Sequence, residues 1–322
     1  MGDSPQSGVL DKVMADLTTP SEVLQTFGNI RMAPVGGGRA VHKPLLVLFW
    51  LGRLERGEAR LAAYADVEGA FKQLLTEFGS ANAPATRQLP FWHLCNDADG
   101  KVWQLQTPGG IAIPTQGVVP GITWFRDQRV QAGFVPELDA LLRSNRTLCA
   151  ALARQLLIQH FSETLHADIA AELGLDIEQS LVDLTTTAPT RRRDPTFRER
   201  VLRAYEYRCC VCGFDLRIGN VSAGLEAAHI HWFSANGPDV ESNGMAMCAL
   251  HHKIFDLGAF TVEPANLSIV FSQNLQLGDA TRLHLLSYQG AGIIRPQSTA
   301  YVPNLAFLKW HAEEVFKSPG RE

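Results

Sequence analysis

Cys209 and Cys212, in the run CCVCG, and Cys248 and His251, in the run CALHH, form two pairs of soft ligands, each pair separated by two residues. Thiolate and imidazole are the donors that tetrahedral structural zinc prefers, and two such half-sites joined by a loop make a closed site. The 35 residues between Cys212 and Cys248 leave room for two strands and their connection. The plain alternative is four reduced residues buried for packing alone. The matched spacing runs against it. Cys210 is not expected to be a ligand, because a single residue separates it from Cys212.

Between the half-sites the chain reads EAAHIHW and then NGM. His229 falls in an apolar, strand-like run from Leu225 to Trp232. His252 directly follows His251, and adjacent helical residues point about 100° apart, so the two imidazoles can serve different sites. Phosphodiester hydrolysis needs an activated water, a counter-charge for a phosphorane-like transition state and help for the leaving 3′ oxygen. A neutral His can supply the first and one divalent cation the other two. His229 is therefore assigned as general base and His252 as a ligand of the catalytic cation. The Asn243 amide pins the loop that orients His229. The competing reading of each His taken alone is an ordinary core or surface residue.

With these residues in place, Tyr207 to Asp256 resembles the ββα-metal HNH nuclease domain, in the zinc-stapled form of McrA-like restriction endonucleases. The similarity runs on through HHKIFDLGAFTVE and the terminal LKWHAEEVFKSPG. Many HNH enzymes place Asp or His directly before the general base as a second cation ligand, whereas Ala228 stands here. Glu226, His231 and Asp256 are the candidate replacements, Asp256 lying one helical turn beyond His252. An imidazole ligand favours a transition metal such as Mn²⁺ over Mg²⁺.

Length and composition fit two domains of ordinary globular type, with 322 residues, 46% hydrophobic and 19% charged. A net charge of -4 means that any DNA contact depends on local basic patches. Four of the six cysteines fall in the metal module, which is reduced, intracellular usage. The start, MGDSPQSG, lacks the features of a signal peptide. The longest apolar run, Pro44 to Leu51, is too short to span a bilayer. The expectation is a cytoplasmic protein with no membrane partner.

A linker is expected within residues 176–196, where LTTTAPTRRRDP breaks the amphipathic periodicity. Arg191, Arg192, Arg193, Arg198, Arg200, Arg203 and Arg208 follow one another closely, to grip phosphates or to form internal ion pairs on a solvated helix. Upstream, HKPLLVLFWLGRLERG predicts a buried helix ending near Gly57. YADVEGAFKQLLTEFG predicts another, with Asp66 as N-cap and Gly79 as stop. LPFWHLCNDADGKVWQLQ predicts a hairpin turning at Asp97 to Gly100. Residues 136–173 return to helical periodicity. GAFTVEPANLSIVFS predicts a second hairpin, and PNLAFLKWHAEEVFK a closing helix.

The HKPLL signature, the helix ending EFG and the PFW segment together resemble the sulfur-binding domain of phosphorothioate-dependent restriction endonucleases, over roughly residues 20–170. That resemblance implies recognition of DNA in which sulfur replaces a non-bridging phosphate oxygen. Leu89 and Pro90 would form an apolar cup for the soft sulfur, with Arg87 and His93 at its rim. Leu89 stands where family members often have Tyr. Arg31, Arg39, His42 and Lys43, beside the glycine run 36–38, would contact phosphates or base edges. Ordinary hairpin core and a plain helix start are the structural alternatives for these residues.

The fold expected is α+β: an α-rich N-terminal domain with a small sheet (1–175), a linker (176–196) and a C-terminal zinc-stapled HNH domain (197–322). The function expected is cleavage of phosphorothioate-modified double-stranded DNA, with Zn²⁺ structural and Mn²⁺ or Mg²⁺ catalytic. One HNH site cuts one strand, so a double-strand break needs a homodimer or two visits. The alternatives are an HNH enzyme directed at another modification, such as methylated cytosine, and a zinc-stapled DNA-binding protein whose site has decayed.

Overall fold

The computed structural model describes residues 17, 19–30, 34–35, 38–39, 41–80, 83–114, 117–177 and 193–322. The glycines at 36 and 37, Arg31, Arg191, Arg192 and most of the expected linker lie outside the described residues.

The N-terminal half is helical around one small sheet. Thr19 starts α1 (Pro20–Gly28) with a capping box: its hydroxyl accepts from the Glu22 amide, and the Thr19 amide donates to the Glu22 carboxylate. A short pair, β1 (Pro34–Val35) and β2 (Gly38–Arg39), leads to α2 (His42–Glu55). This helix is apolar nearly all round, and residues 44–52 are buried without a break. It forms the central shaft of the domain. Around it lie β3 (Ala62–Ala63), α3 (Tyr64–Phe78), α4 (Leu89–Leu94), β4 (Trp103–Gln106), α5 (Ile122–Asp127), β5 (Gln131–Phe134), α6 (Pro136–Ser144), α7 (Arg146–His160) and α8 (His166–Leu173). The antiparallel sheet has the order β3-β5-β4.

Two details differ from the sequence reading. The PFW segment is helix, not the first arm of a hairpin; Pro90 at the first turn favours this, since its missing N–H costs nothing there. The strand after it pairs instead with residues 131–134. Asp66 sits in the first turn of α3, and the N-cap is Ala63.

The C-terminal half contains α9 (Phe197–Ala204), the ribbon β6 (Arg217–Ile218) and β7 (Val221–Ser222), the hairpin β8 (Leu225–His229) and β9 (Gly244–Cys248), and α10 (Ala249–Asp256). There follow the hairpin β10 (Phe260–Val262) and β11 (Ile269–Phe271), α11 (Asp279–Leu286) and the closing helix α12 (Leu305–Glu314). In the β8–β9 register Leu225 faces Cys248 and His229 faces Gly244. Strand, strand and helix therefore carry the candidate chemistry as one ββα unit. Each half has its own hydrophobic core, but Trp232, Trp310 and Val315 from the second half pack into the core of the first. Among the described residues, no helix is long and apolar enough to cross a membrane.

Candidate active site and metal centre

The turn after α9 and the start of α10 bring Cys209, Cys212, Cys248 and His251 together, with all four ligand atoms within 4.8 Å of one another. Cys248 Sγ lies 3.1 Å and Cys209 Sγ 3.7 Å from His251 Nδ1, and the Cys212 and Cys248 sulfurs are 4.0 Å apart. A tetrahedron with Zn–S bonds of about 2.3 Å has edges of about 3.7 Å, so the donor set fits a tetrahedral metal ion in both chemistry and size. Cys210 lies outside the cluster and is fully buried, its amide donating to the Ala246 carbonyl. Because three thiols crowd together, a hydrogen bond from Cys248 pulls Cys209 down to about 3. Thiolate character is what a metal requires.

His229 ends β8, stacked on Phe197 at 4.1 Å. Its Nε2 is 2.7 Å from Asp239 Oδ1, and both side chains are nearly buried. Burial lowers the pKa of His229, with the Asp239 carboxylate opposing that shift. Asn243 is fully buried beneath the loop between the strands. Its Nδ2 donates to the carbonyls of His231 and Pro238, and its Oδ1 accepts from the His231 amide, all at 2.9 Å. The same loop needs glycine at 237, where a Cβ would stand 1.8 Å from the His231 carbonyl oxygen. These contacts fix the loop that delivers Asp239 to His229. Asp239, which sequence reasoning missed, left no motif signal because its partner lies ten residues away across an irregular loop.

His251 and His252 diverge from the first turn of α10, one into the thiol cluster and the other toward β8. His252 Nδ1 lies 2.6 Å from Glu226 Oε2, and its Nε2 3.2 Å from Asp256 Oδ2. Burial opposes protonation, yet the Asp256 and Glu226 carboxylates together hold this imidazole up at about 9. The two acids differ in access: the Glu226 side chain is 44% exposed and that of Asp256 0%. Of the three candidates for the role left open by Ala228, His231 is elsewhere, its ring stacked on Trp310 and its Nε2 beside the Ala235 carbonyl. Ala228 itself is buried in the C-terminal core.

Among the described residues, the arginines of the basic run have partners inside the protein. Arg200 spans Asp194, Glu241 and the Asp239 carbonyl; Arg198 donates to the Leu225 carbonyl; Arg203 and Arg208 pair with Glu199 and Glu206. Arg193 pairs with Glu163 and lies over Phe233.

In the N-terminal half, Lys43 bonds Asp97 at 2.6 Å, and both residues are largely buried. His93 is near this pair, its pKa lowered by burial and by Lys43. His42 is driven down to about 4 by burial. Arg87 belongs to a different group, sharing the buried Glu68 carboxylate with Arg126. Leu89 is half-buried and Pro90 buried, while Phe91 behind them is core. Arg39 is described only by its place in β2.

A model of the ScoMcrA-like DNA sulfur-binding domain matches residues 20–178, and a model of the HNH endonuclease matches residues 209–263. Among solved structures, the sulfur binding domain of SprMcrA complexed with phosphorothioated DNA is 23% identical over 51% of this chain and 99% of that one, with a TM-score of 0.42. The sulfur binding domain of ScoMcrA, also complexed with phosphorothioated DNA, is 23% identical over 49% and 97%, with a TM-score of 0.43. The modification dependent TagI restriction endonuclease is 24% identical over 38% of each chain, with a TM-score of 0.28. No curated protein matches the chain. The chain thus joins a domain of the ScoMcrA-like DNA sulfur-binding family to an HNH endonuclease domain, and it is a nuclease.

Proposed function

We propose that this chain recognises phosphorothioate-modified double-stranded DNA through its N-terminal domain and hydrolyses a nearby phosphodiester bond through its HNH domain. The observation that carries this reading is the presence, in one chain, of a match to the sulfur-binding family and a ββα unit bearing His229, Asn243 and His252.

His229 acts as general base. Its Nε2–H is taken by Asp239, which leaves the Nδ1 lone pair to accept the proton of the attacking water. Asp239 holds the ring in that tautomer and stabilises the imidazolium that forms. Burial keeps His229 neutral near pH 7, and Asn243 holds the loop carrying Asp239 in place.

The catalytic cation would be held by His252 through Nδ1 and by the accessible carboxylate of Glu226. A divalent cation there supplies positive charge to the transition state and the departing 3′ oxygen. Asp256 accepts the Nε2–H of His252 from the buried side, an arrangement that orients a ligating imidazole. Cys209, Cys212, Cys248 and His251 would hold the structural Zn²⁺, which closes the turn after α9 onto α10 and so fixes where His252 points. A homodimer on DNA would give a double-strand break; sedimentation of the complex reads this directly, and a complex with one protein chain would rule the dimer out.

The His229→Ala variant tests the assignment. It should bind a phosphorothioate duplex like the parent and cut it at least 100-fold more slowly, by the usual worth of a general base of about 10²- to 10⁴-fold. Cleavage at the parent rate would remove His229 from the mechanism.

A further inference from the structure

The nuclease site is completed from the other domain. Between α7 and α8 the N-terminal domain extends a short turn, Glu163–Leu165, against α10. The Ser162 hydroxyl donates to Asp256 Oδ2 at 2.7 Å, and the Thr164 hydroxyl donates to the same oxygen at 2.5 Å. Trp232 Nε1 holds the other carboxylate oxygen at 3.0 Å. Lys253, next to His252, donates to the Thr164 carbonyl and pairs with Asp168 of α8. The Asp256 carboxylate is therefore gripped by three neutral donors, two of them from the DNA-reading domain, and faces His252 with what remains.

We infer that Ser162 and Thr164 are positioning residues of the HNH site: by fixing Asp256, they fix the ring of His252 in the orientation that presents Nδ1 to the cation and to Glu226. The inference rests on the reading of His252 as a cation ligand. The physical argument is one of valence and space. Asp256 has no exposed side-chain surface, so its lone pairs must be met from within. With both hydroxyls in place the carboxylate cannot turn, and its Oδ2 stays aimed at Nε2. Without them Oδ2 loses two of its donors and only the Trp232 bond to Oδ1 still restrains the carboxylate, which can then swing about that contact and carry the imidazole with it. Partners of ligating residues are worth about 10- to 100-fold in metal affinity or activity. A further consequence is that the HNH unit reaches its working geometry only while docked on the sulfur-binding domain, so that DNA recognition and cutting share one turn of chain.

The test uses the full chain with Ser162→Ala/Thr164→Val and, in parallel, Ser162→Thr/Thr164→Ser, which keeps both hydroxyls. Mn²⁺ binding is followed by the loss of free-ion electron paramagnetic resonance signal, without DNA, and single-turnover cleavage of a phosphorothioate duplex is titrated with Mn²⁺. The hydroxyl-free variant should need about 10- to 100-fold more Mn²⁺ or cut that much more slowly, with duplex affinity within twofold of the parent, and the hydroxyl-retaining variant should stay close to the parent. Parent-like Mn²⁺ binding and cleavage in the hydroxyl-free variant would overturn the inference. If the double variant does not fold, the isosteric Thr164→Val alone is held to the same criterion. His252→Ala separates the two levels: Mn²⁺ binding and cutting that survive it refute the ligand assignment, whereas loss in His252→Ala with no effect of the hydroxyl-free variant refutes only the positioning role.

Discussion

At the scale of single residues the site depends on two imidazoles in opposite electrostatic settings. Burial lowers the pKa of His229 against the pull of its one carboxylate partner; His252 is buried between two carboxylates, which raise its own, and in the proposed mechanism a cation takes the place of that proton. Asp239→Asn should lower the cleavage rate on the order of 10²- to 10⁴-fold, because the amide no longer selects the tautomer, while leaving duplex binding unchanged. Unaltered cleavage in that variant would show that His229 is oriented by other means. In the proposed mechanism His229 works when deprotonated, and burial holds its pKa below the ordinary 6.5. With cation saturating, so that His252 stays ligated, the rate should hold as pH falls through 6.5 and decline only below it. An acid limb centred at or above 6.5 would assign the limb to another group.

At the scale of elements, a hairpin and one helix carry the candidate residues, and the cluster of three thiols and His251 sits where β9 meets α10. Cys248 ends β9 and caps α10, so a metal ion there anchors the helix that carries His252. Replacing Cys248 with Ser should abolish stoichiometric zinc and remove the cooperative melting of the C-terminal half, since structural zinc contributes folding free energy directly. A Cys248→Ser protein that melts like the parent without zinc would contradict that role. Much of this unit was legible in the sequence because its signals are local: matched ligand pairs and two adjacent His residues on one helix; the same holds in the N-terminal half for the buried helix α2, announced by HKPLLVLFWL. The misread element was also local. LPFWHL has the aromatic richness of a strand, and only Pro90 marks it as the start of a helix. What the sequence could not carry are contacts between distant positions. Ser162 and Thr164 meet Asp256 across more than ninety residues, and no spacing rule connects them. Asp239 is invisible for a related reason: its value depends on the path of an irregular loop pinned by Asn243.

At the scale of the whole molecule, the chain is acidic overall, and much of its positive charge is already committed. Lys43 is tied to Asp97, Arg87 and Arg126 to Glu68, Arg200 to Asp194 and to Glu241 of the β8–β9 loop, Arg198 to the Leu225 carbonyl and Arg203 to Glu199. These pairs shape the molecule as much as they offer charge to DNA. The two halves are also held together: Trp232, Trp310 and Val315 enter the N-terminal core, and the turn after α7 grips α10. The two halves thus pack together where α10, the helix that carries His252, ends at Asp256. Whether reading and cutting belong to one enzyme is measured by comparing two duplexes identical except for a phosphorothioate linkage, incubated with the chain and Mn²⁺ or Mg²⁺ beside a His229→Ala control. The modified duplex alone should be cut, and not by the control; equal cutting of both duplexes would show that the sulfur is not what directs the nuclease.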